Sequence, residues 1–87
     1  MPSNPFILEE ISRMKKKYSS VYNGSTFALG FNHTLKRIES DMISGRTLTL
    51  ILNDILNDLE NDLNYDAEYN DGVKKAVELI KGISHTH

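Results

Sequence analysis

The chain contains no cysteine, and this absence excludes several kinds of chemistry at once. Disulfide bonds, thiolate nucleophiles and cysteine-based zinc sites all need the missing side chain. No hydrophobic run approaches the roughly 20 residues that a membrane-spanning helix requires. The N-terminal segment also lacks the basic stretch that opens a secretory signal peptide. We therefore expect a cytoplasmic protein with no membrane association.

Lysine and arginine are absent from the stretch between Thr47 and Val73, which is rich in acid. Its seven carboxylates are Asp54, Asp58, Glu60, Asp62, Asp66, Glu68 and Asp71. Residues 1–46 hold seven Lys and Arg against four Asp and Glu, a balance of +3, whereas residues 47–87 hold three against eight, a balance of −5. Such a separation of positive and negative charge between the two halves can orient a binding partner or join two copies head to tail.

The size and composition are those of a single folded domain over residues 1–87, since 39% of the residues are hydrophobic and 25% are charged. Hydrophobic residues recur at helical spacing and predict four helices, at approximately 5–22, 26–43, 48–64 and 67–82. Short connections make consecutive helices antiparallel neighbours. We therefore expect an all-α fold, a small four-helix bundle built from two helical hairpins.

Residues that cap helices mark several of these boundaries. Ser25 or Thr26 caps the second helix at its N-terminus, and Gly45 is a natural residue to follow its end. Asp66 caps the fourth helix, and Gly82 marks its end.

Some hydrophobic residues fall outside the predicted apolar stripes. The stripe of the third helix consists of Leu48, Leu52, Ile55, Leu56, Leu59 and Leu63. The residues left outside the stripes are Phe6, Leu29, Ile43, Leu50 and Ile51. They indicate either a contact between copies of the chain or a partner groove. The alternative is that a wide stripe buries them within the bundle.

The second and fourth helices look like copies of one template. Phe27-x-x-Gly30-Phe31 aligns onto Tyr69-x-x-Gly72-Val73, and the match extends to residues 38 and 80 at an offset of 42. A glycine on an apolar face lets another helix approach closely. The pattern suggests an internal duplication, or two amphipathic helices that acquired it independently.

The segment Phe27-x-x-Gly30-Phe31-x-x-Thr34-Leu35 resembles a residue pattern common in short helical proteins encoded by phages. The resemblance implies a phage or prophage origin. It assigns no functional residue.

The polar surface of the third helix is the strongest candidate site. Its candidate partner-binding residues are Asp54, Asn57, Asp58, Asn61 and Asp62. Asparagine is a mediocre helix former, and like charges four residues apart are mutually destabilising. We expect this strip to dock on a basic surface of another protein. The alternative is a solvated face whose carboxylates meet two lysine clusters of the same bundle, Lys15–Lys17 and Lys74–Lys75.

Other site classes receive less support. One lysine run in a chain of net charge −2 does not favour direct nucleic-acid binding, and Glu9 and Glu10 can pair instead with Arg13 or Lys17. His33 stands alone, and the remaining histidines lie at the C-terminus, so no metal site is predicted. No set of residues has the spacing of a catalytic motif, and no cofactor is predicted.

These observations predict a small non-enzymatic protein-binding module, an accessory or inhibitor protein of phage or prophage type. Its acidic third helix would occlude a basic surface on a host protein, in the cytoplasm of the host cell. A homo-oligomeric structural module of helices is the first alternative. The second is an all-α enzyme that depends on a metal or a nucleotide.

Overall fold

The computed structural model describes residues 4–19, 25–61 and 66–86, and every regular element within these ranges is an α-helix. The helices are α1 (Asn4–Ser19), α2 (Thr26–Ile43), α3 (Leu48–Asn61) and α4 (Ala67–Thr86). The predicted all-α four-helix bundle is confirmed. The expected ends of the first helix at residue 22 and of the third at residue 64 lie outside the described residues.

Two predicted N-terminal caps are in place. The hydroxyl Oγ of Ser25 accepts a hydrogen bond from the backbone N–H of Ala28 at 3.0 Å, so Ser25 rather than Thr26 caps α2. The carboxylate Oδ1 of Asp66 accepts one from the N–H of Glu68 at 2.8 Å. Each cap satisfies a donor in the first turn that has no partner within its own helix.

The C-terminus of α2 is closed by Gly45. Its φ of 99° lies in the left-handed region, which glycine enters without strain. The N–H of Gly45 donates to the carbonyl of Met42 at 3.0 Å, and the N–H of Arg46 donates to that of Asp41 at 3.1 Å. This pair of bonds is a Schellman motif, which satisfies the last carbonyls of α2 and turns the chain into α3.

The predicted end of the fourth helix at Gly82 is wrong, because α4 continues to Thr86. A glycine commonly ends a helix by adopting positive φ, and Gly45 is the only residue in the described part of the chain that does so. Gly82 stays helical, and the next residue, Ile83, packs partly buried against the core. The packing of Ile83 favours another turn of α4 beyond the glycine.

The centre of the bundle is the contact between α2 and α4, the most extensive helix pair. In the described ranges, α1 and α3 each pack on both central helices and not closely on each other. The largest fully buried side chains are Ile7, Ile11, Phe31, Leu35, Ile38, Ile51 and Ile80. The ring of Tyr18 on α1 meets Phe31 edge-on, with centroids 5.3 Å apart. The core thus joins the second helices of the two predicted hairpins.

The buried face of α3 is wider than the predicted leucine stripe. Ile51, which the sequence placed outside the stripe, is 0% exposed, whereas its neighbour Leu50 is 55% exposed. Because α3 contacts both α2 and α4, it buries a broader arc than a helix with one neighbour. Phe6 also packs partly buried against the core. Of the hydrophobic residues outside the stripes, Leu29, Ile43 and Leu50 are exposed.

Two glycines bring the backbones of α2 and α4 into contact. A Cβ atom on Gly30 would overlap the carbonyl oxygen of Tyr69, and one on Gly72 would overlap the carbonyl oxygen of Phe27. The contact is reciprocal, because each glycine meets the residue three positions before the other glycine. The predicted role of these glycines in close helix approach is confirmed. The duplication of the segment stays a prediction.

Candidate partner-binding surface

The outward side of α3 carries the candidate residues that the structure describes. They are Asp54, Asn57, Asp58 and Asn61, all exposed, and we call these four together with Asn53 the acidic face of α3. Spacings of three and four residues place them on one side of the helix. Asp62, the fifth candidate, lies outside the described residues.

Asp58 forms an ion pair with Arg37 of α2, and its Oδ2 accepts a hydrogen bond from Nη1 at 2.8 Å. The side chains of Arg37 and Asp58 are 42% and 62% exposed. Ion pairs at such a surface contribute about 0–1 kcal/mol to stability. A carboxylate has about four acceptor positions. The pair therefore orients Asp58 and leaves acceptor capacity facing solvent.

Arg46 links the end of α2 to α3. Its Nη1 donates to Oδ2 of Asp41 at 3.2 Å, and its Nη2 donates to Oδ2 of Asp54. The hydrogen bond to Asp54 is the main cause that raises the pKa of Arg46 above its ordinary value. The guanidinium thus bridges one carboxylate on each side of the connection at residues 44–47. Asp54 is still 50% exposed in this arrangement.

The asparagines form the neutral part of the acidic face of α3. Nδ2 of Asn61 donates to Oδ1 of Asn57 at 3.3 Å, one turn away on the same helix. Each amide has two donors and one acceptor with two lone pairs, so this single bond uses a small part of their capacity. The two exposed amides can both donate to and accept from a docked surface.

Sequence reasoning missed the partners of Asp54 and Asp58. The alternative of a solvated face named two lysine clusters as their partners, whereas the ion pairs that the structure shows are with Arg46 and Arg37. Lys15, from one of those clusters, pairs instead with Glu39 of α2 at 3.3 Å. The available signal was the short connection at residues 44–47, which makes α2 and α3 neighbours. It brings Arg37 of α2, and Arg46 of the connection itself, beside the acids of α3.

Further acidic side chains lie near the C-terminal end of α3 and in the first turns of α4. Glu60, Glu68 and Asp71 are exposed and form no ion pair within the described ranges. Glu68 lies in the first turn of α4, where a negative charge interacts favourably with the helix dipole. These three carboxylates add negative charge that no ion pair of the described ranges offsets.

Three exposed hydrophobic side chains lie outside the core. Leu29 and Ile43 of α2 are 50% and 71% exposed, and Leu50 of α3 is 55% exposed. Leu50 precedes Asp54 by four residues and therefore adjoins the acidic face of α3. Ile43 lies in the last turn of α2, just before the connection to α3.

The other polar groups are arranged as follows. Arg13 pairs with both Glu9 and Glu10 at 3.1 Å, as predicted for the first helix. Nδ1 of His33 lies 3.2 Å from the hydroxyl of Tyr69, which joins α2 to α4 at the surface.

Within the described ranges, no three His, Asp or Glu side chains are grouped as metal ligands would be.

The four helices also differ from membrane spans. None of the described segments combines the length and the apolar character that crossing a bilayer requires.

Comparison with known proteins gives no relative. No protein-family model matches the chain, and neither the curated proteins nor the solved structures give a significant match. A function for this chain therefore has to be inferred from its own surface.

Proposed function

We propose that this protein is a small non-enzymatic binding module that docks the acidic face of α3 on a basic surface of a host protein and occludes it. The observation that carries the proposal is the composition of α3. From Leu48 to Asn61 this helix exposes carboxylates and amides and has no lysine or arginine of its own. Such a face is complementary to a surface rich in lysine and arginine.

The internal ion pairs are compatible with this role. Asp54 and Asp58 remain at least half exposed while they bind Arg46 and Arg37. Because surface ion pairs are weak, sharing these carboxylates with a partner's cations costs the bundle little stability. The arginines also fix the directions in which the two carboxylates point, which reduces the ordering cost of docking.

The proposed setting is the cytoplasm of a bacterial host, with the protein acting as a phage or prophage accessory or inhibitor protein. Support comes from the resemblance of the Phe27–Leu35 segment to short phage-encoded helical proteins. The absence of cysteine fits a reducing compartment.

The test removes charge from the acidic face of α3 while keeping its shape. The wild-type protein and a D54N/D58N variant are used as bait in host lysate, and captured proteins are compared. We expect a partner that the wild type retains, that the variant loses, and that salt near 1 M releases because the Debye length falls to about 3 Å.

An E68Q/D71N variant is the matched control, because it removes the same charge from exposed positions on α4. Circular dichroism verifies that all the proteins are folded. Capture that survives D54N/D58N, or that E68Q/D71N abolishes equally, would show that the acidic face of α3 is not the binding surface.

A homo-oligomeric helical module is the second candidate function. It is favoured by the exposure of Leu29, Ile43 and Leu50 and by the opposite charge balances of the two halves of the chain. Light scattering over a salt series tests it: association between oppositely charged halves weakens as salt rises. A mass that stays monomeric at every salt concentration excludes this candidate.

A further inference from the structure

We propose that this protein pairs with a second copy of itself by exchanging its α3–α4 hairpin, with residues 44–47 as the hinge. Gly45 and Arg46 hold the hinge in the closed form. The inference does not depend on the proposed function, because it requires no host protein: it rests on the core, on the hinge and on the contacts of Arg46 within the chain.

The contact that an exchanged dimer would reuse is the one between α2 and α4. These helices lie on opposite sides of the hinge and form the most extensive pair in the bundle. Gly30 meets Tyr69, and Gly72 meets Phe27, both across that boundary. If the hinge opens, the same contacts form between α2 of one copy and α4 of the other. Exchange therefore sacrifices none of the central contact, which is why swapping is a low-cost route to dimers.

Gly45 keeps the hinge closed through its backbone conformation. The closed chain needs a φ of 99° at this position, and the Schellman bonds of Gly45 and Arg46 depend on it. An opened hinge has no such requirement, since its residues can continue the helix of α2. A residue that resists positive φ and favours helix therefore shifts the balance toward the open form.

Arg46 keeps the hinge closed through its side chain. Its guanidinium binds Asp41 before the hinge and Asp54 after it. When the hinge opens, α3 moves away and Asp54 no longer lies beside Arg46 of the same chain. Only the closed form therefore has the contacts of Arg46 with both Asp41 and Asp54 within one chain.

Exposed hydrophobic residues flank the hinge on both sides. Ile43, 71% exposed, lies one residue before it, and Leu50, 55% exposed, lies in the first turn of α3. In an exchanged dimer the two hinge segments run beside each other. This arrangement supplies a second copy of Ile43 and Leu50 to cover side chains that the closed chain leaves in water.

The first test substitutes the hinge glycine. Gly45→Ala penalises the closed form by about tenfold per hinge, so the two hinges of a dimer should tighten dimerisation roughly 100-fold. Each protein is unfolded, refolded at a series of concentrations, and its mass is measured by light scattering. Gly82→Ala is the matched control: Gly82 is helical and a Cβ there meets no atom within 4 Å, so its oligomeric state should equal that of the wild type.

A second variant opens the hinge without changing its backbone. Arg46→Gln removes the bridge between Asp41 and Asp54, and we expect it to raise the dimer fraction above that of the wild type. Arg13→Gln is its control, because it makes the same charge change at an ion pair within α1. Arg46 is a surface side chain, so this variant keeps the test valid if Gly45→Ala does not fold.

Mixed labelling decides whether the dimers are exchanged. Labelled and unlabelled chains of a dimeric variant are unfolded together and refolded, and isotope-filtered NOEs are recorded. NOEs between Gly30 of one chain and Tyr69 of the other establish exchange. Masses that stay monomeric in both hinge variants, or dimers whose Gly30–Tyr69 NOEs arise within one chain, overturn the proposal.

Discussion

Gly72 of α4 lies against the backbone of Phe27 in α2, closer than any side chain at position 72 would allow. The blocking atoms belong to main chain, so they cannot rotate aside as the end of a side chain would. We expect Gly72→Ala, and likewise Gly30→Ala, to lower the free energy of unfolding by about 3 kcal/mol, the upper part of the range for overpacking. Urea denaturation followed by circular dichroism measures the change.

Gly82→Ala supplies the control for both glycine substitutions. Gly82 is helical and open on the side where a Cβ would stand. Alanine there should raise the free energy of unfolding by about 0.5–1 kcal/mol, because it restricts the unfolded chain more than glycine does. Equal effects at positions 30, 72 and 82 would contradict the close approach of α2 and α4.

Neighbouring positions on α3 should respond very differently to truncation. Ile51 is 0% exposed and Leu50 is 55% exposed. We expect Ile51→Ala to cost about 2–5 kcal/mol through lost burial and a residual cavity. Leu50→Ala should stay within about 0.5 kcal/mol of the wild type. The comparison by urea denaturation tests the register of α3, since a rotated helix would reverse the order of the two effects.

The ion pair between Arg37 and Asp58 should be measurable by a double-mutant cycle. Variants R37Q, D58N and the combination are compared in free energy of unfolding, and we expect a coupling of about 0.2–1 kcal/mol. The coupling should shrink at 1 M salt, where the Debye length is about 3 Å. A parallel cycle on Arg13 and Glu9 gives the reference for a pair within one helix. A coupling of zero at low salt would show that Arg37 does not hold Asp58.

Ser25 should contribute to stability through its cap. Ser25→Ala leaves the N–H of Ala28 without its acceptor and is expected to cost about 1 kcal/mol. Ser25→Asp keeps an acceptor at the same position and should restore most of the loss. Thr26→Ala serves as the comparison, because Thr26 is the first residue of α2 rather than its cap. The assignment fails if Thr26→Ala costs as much as Ser25→Ala.

The features that sequence reasoning predicted correctly depend on residues close together in the chain. Ser25, Gly45 and Asp66 act within three positions of themselves, so their chemistry can be inferred without knowledge of the fold. The glycines at positions 30 and 72 stood out because the aromatic-x-x-Gly pattern occurs twice. The helix-approach role was predictable from that pattern, although neither glycine identifies the helix that it meets.

The features that were missed depend on residues distant in the chain. Ile51 is buried because α3 has two neighbours, and a hydrophobic stripe does not state how many neighbours its helix will have. The helix α4 continues past Gly82 because Ile83 packs partly buried against the core. The pairing of Asp58 with Arg37 depends on how α3 docks beside α2. That pairing could not be inferred from helical spacing alone, and the partner-binding role of the acidic face of α3 stays a prediction.

The central contact also determines when during synthesis this chain can fold. Gly30 and Tyr69 are 39 positions apart in the sequence, and Phe27 and Gly72 are 45 apart. While only the N-terminal half has left the ribosome, α2 lacks the backbone of α4 that lies against Gly30 in the folded chain. Since contacts of long sequence separation form slowly, we expect the core to assemble only after α4 has left the ribosome.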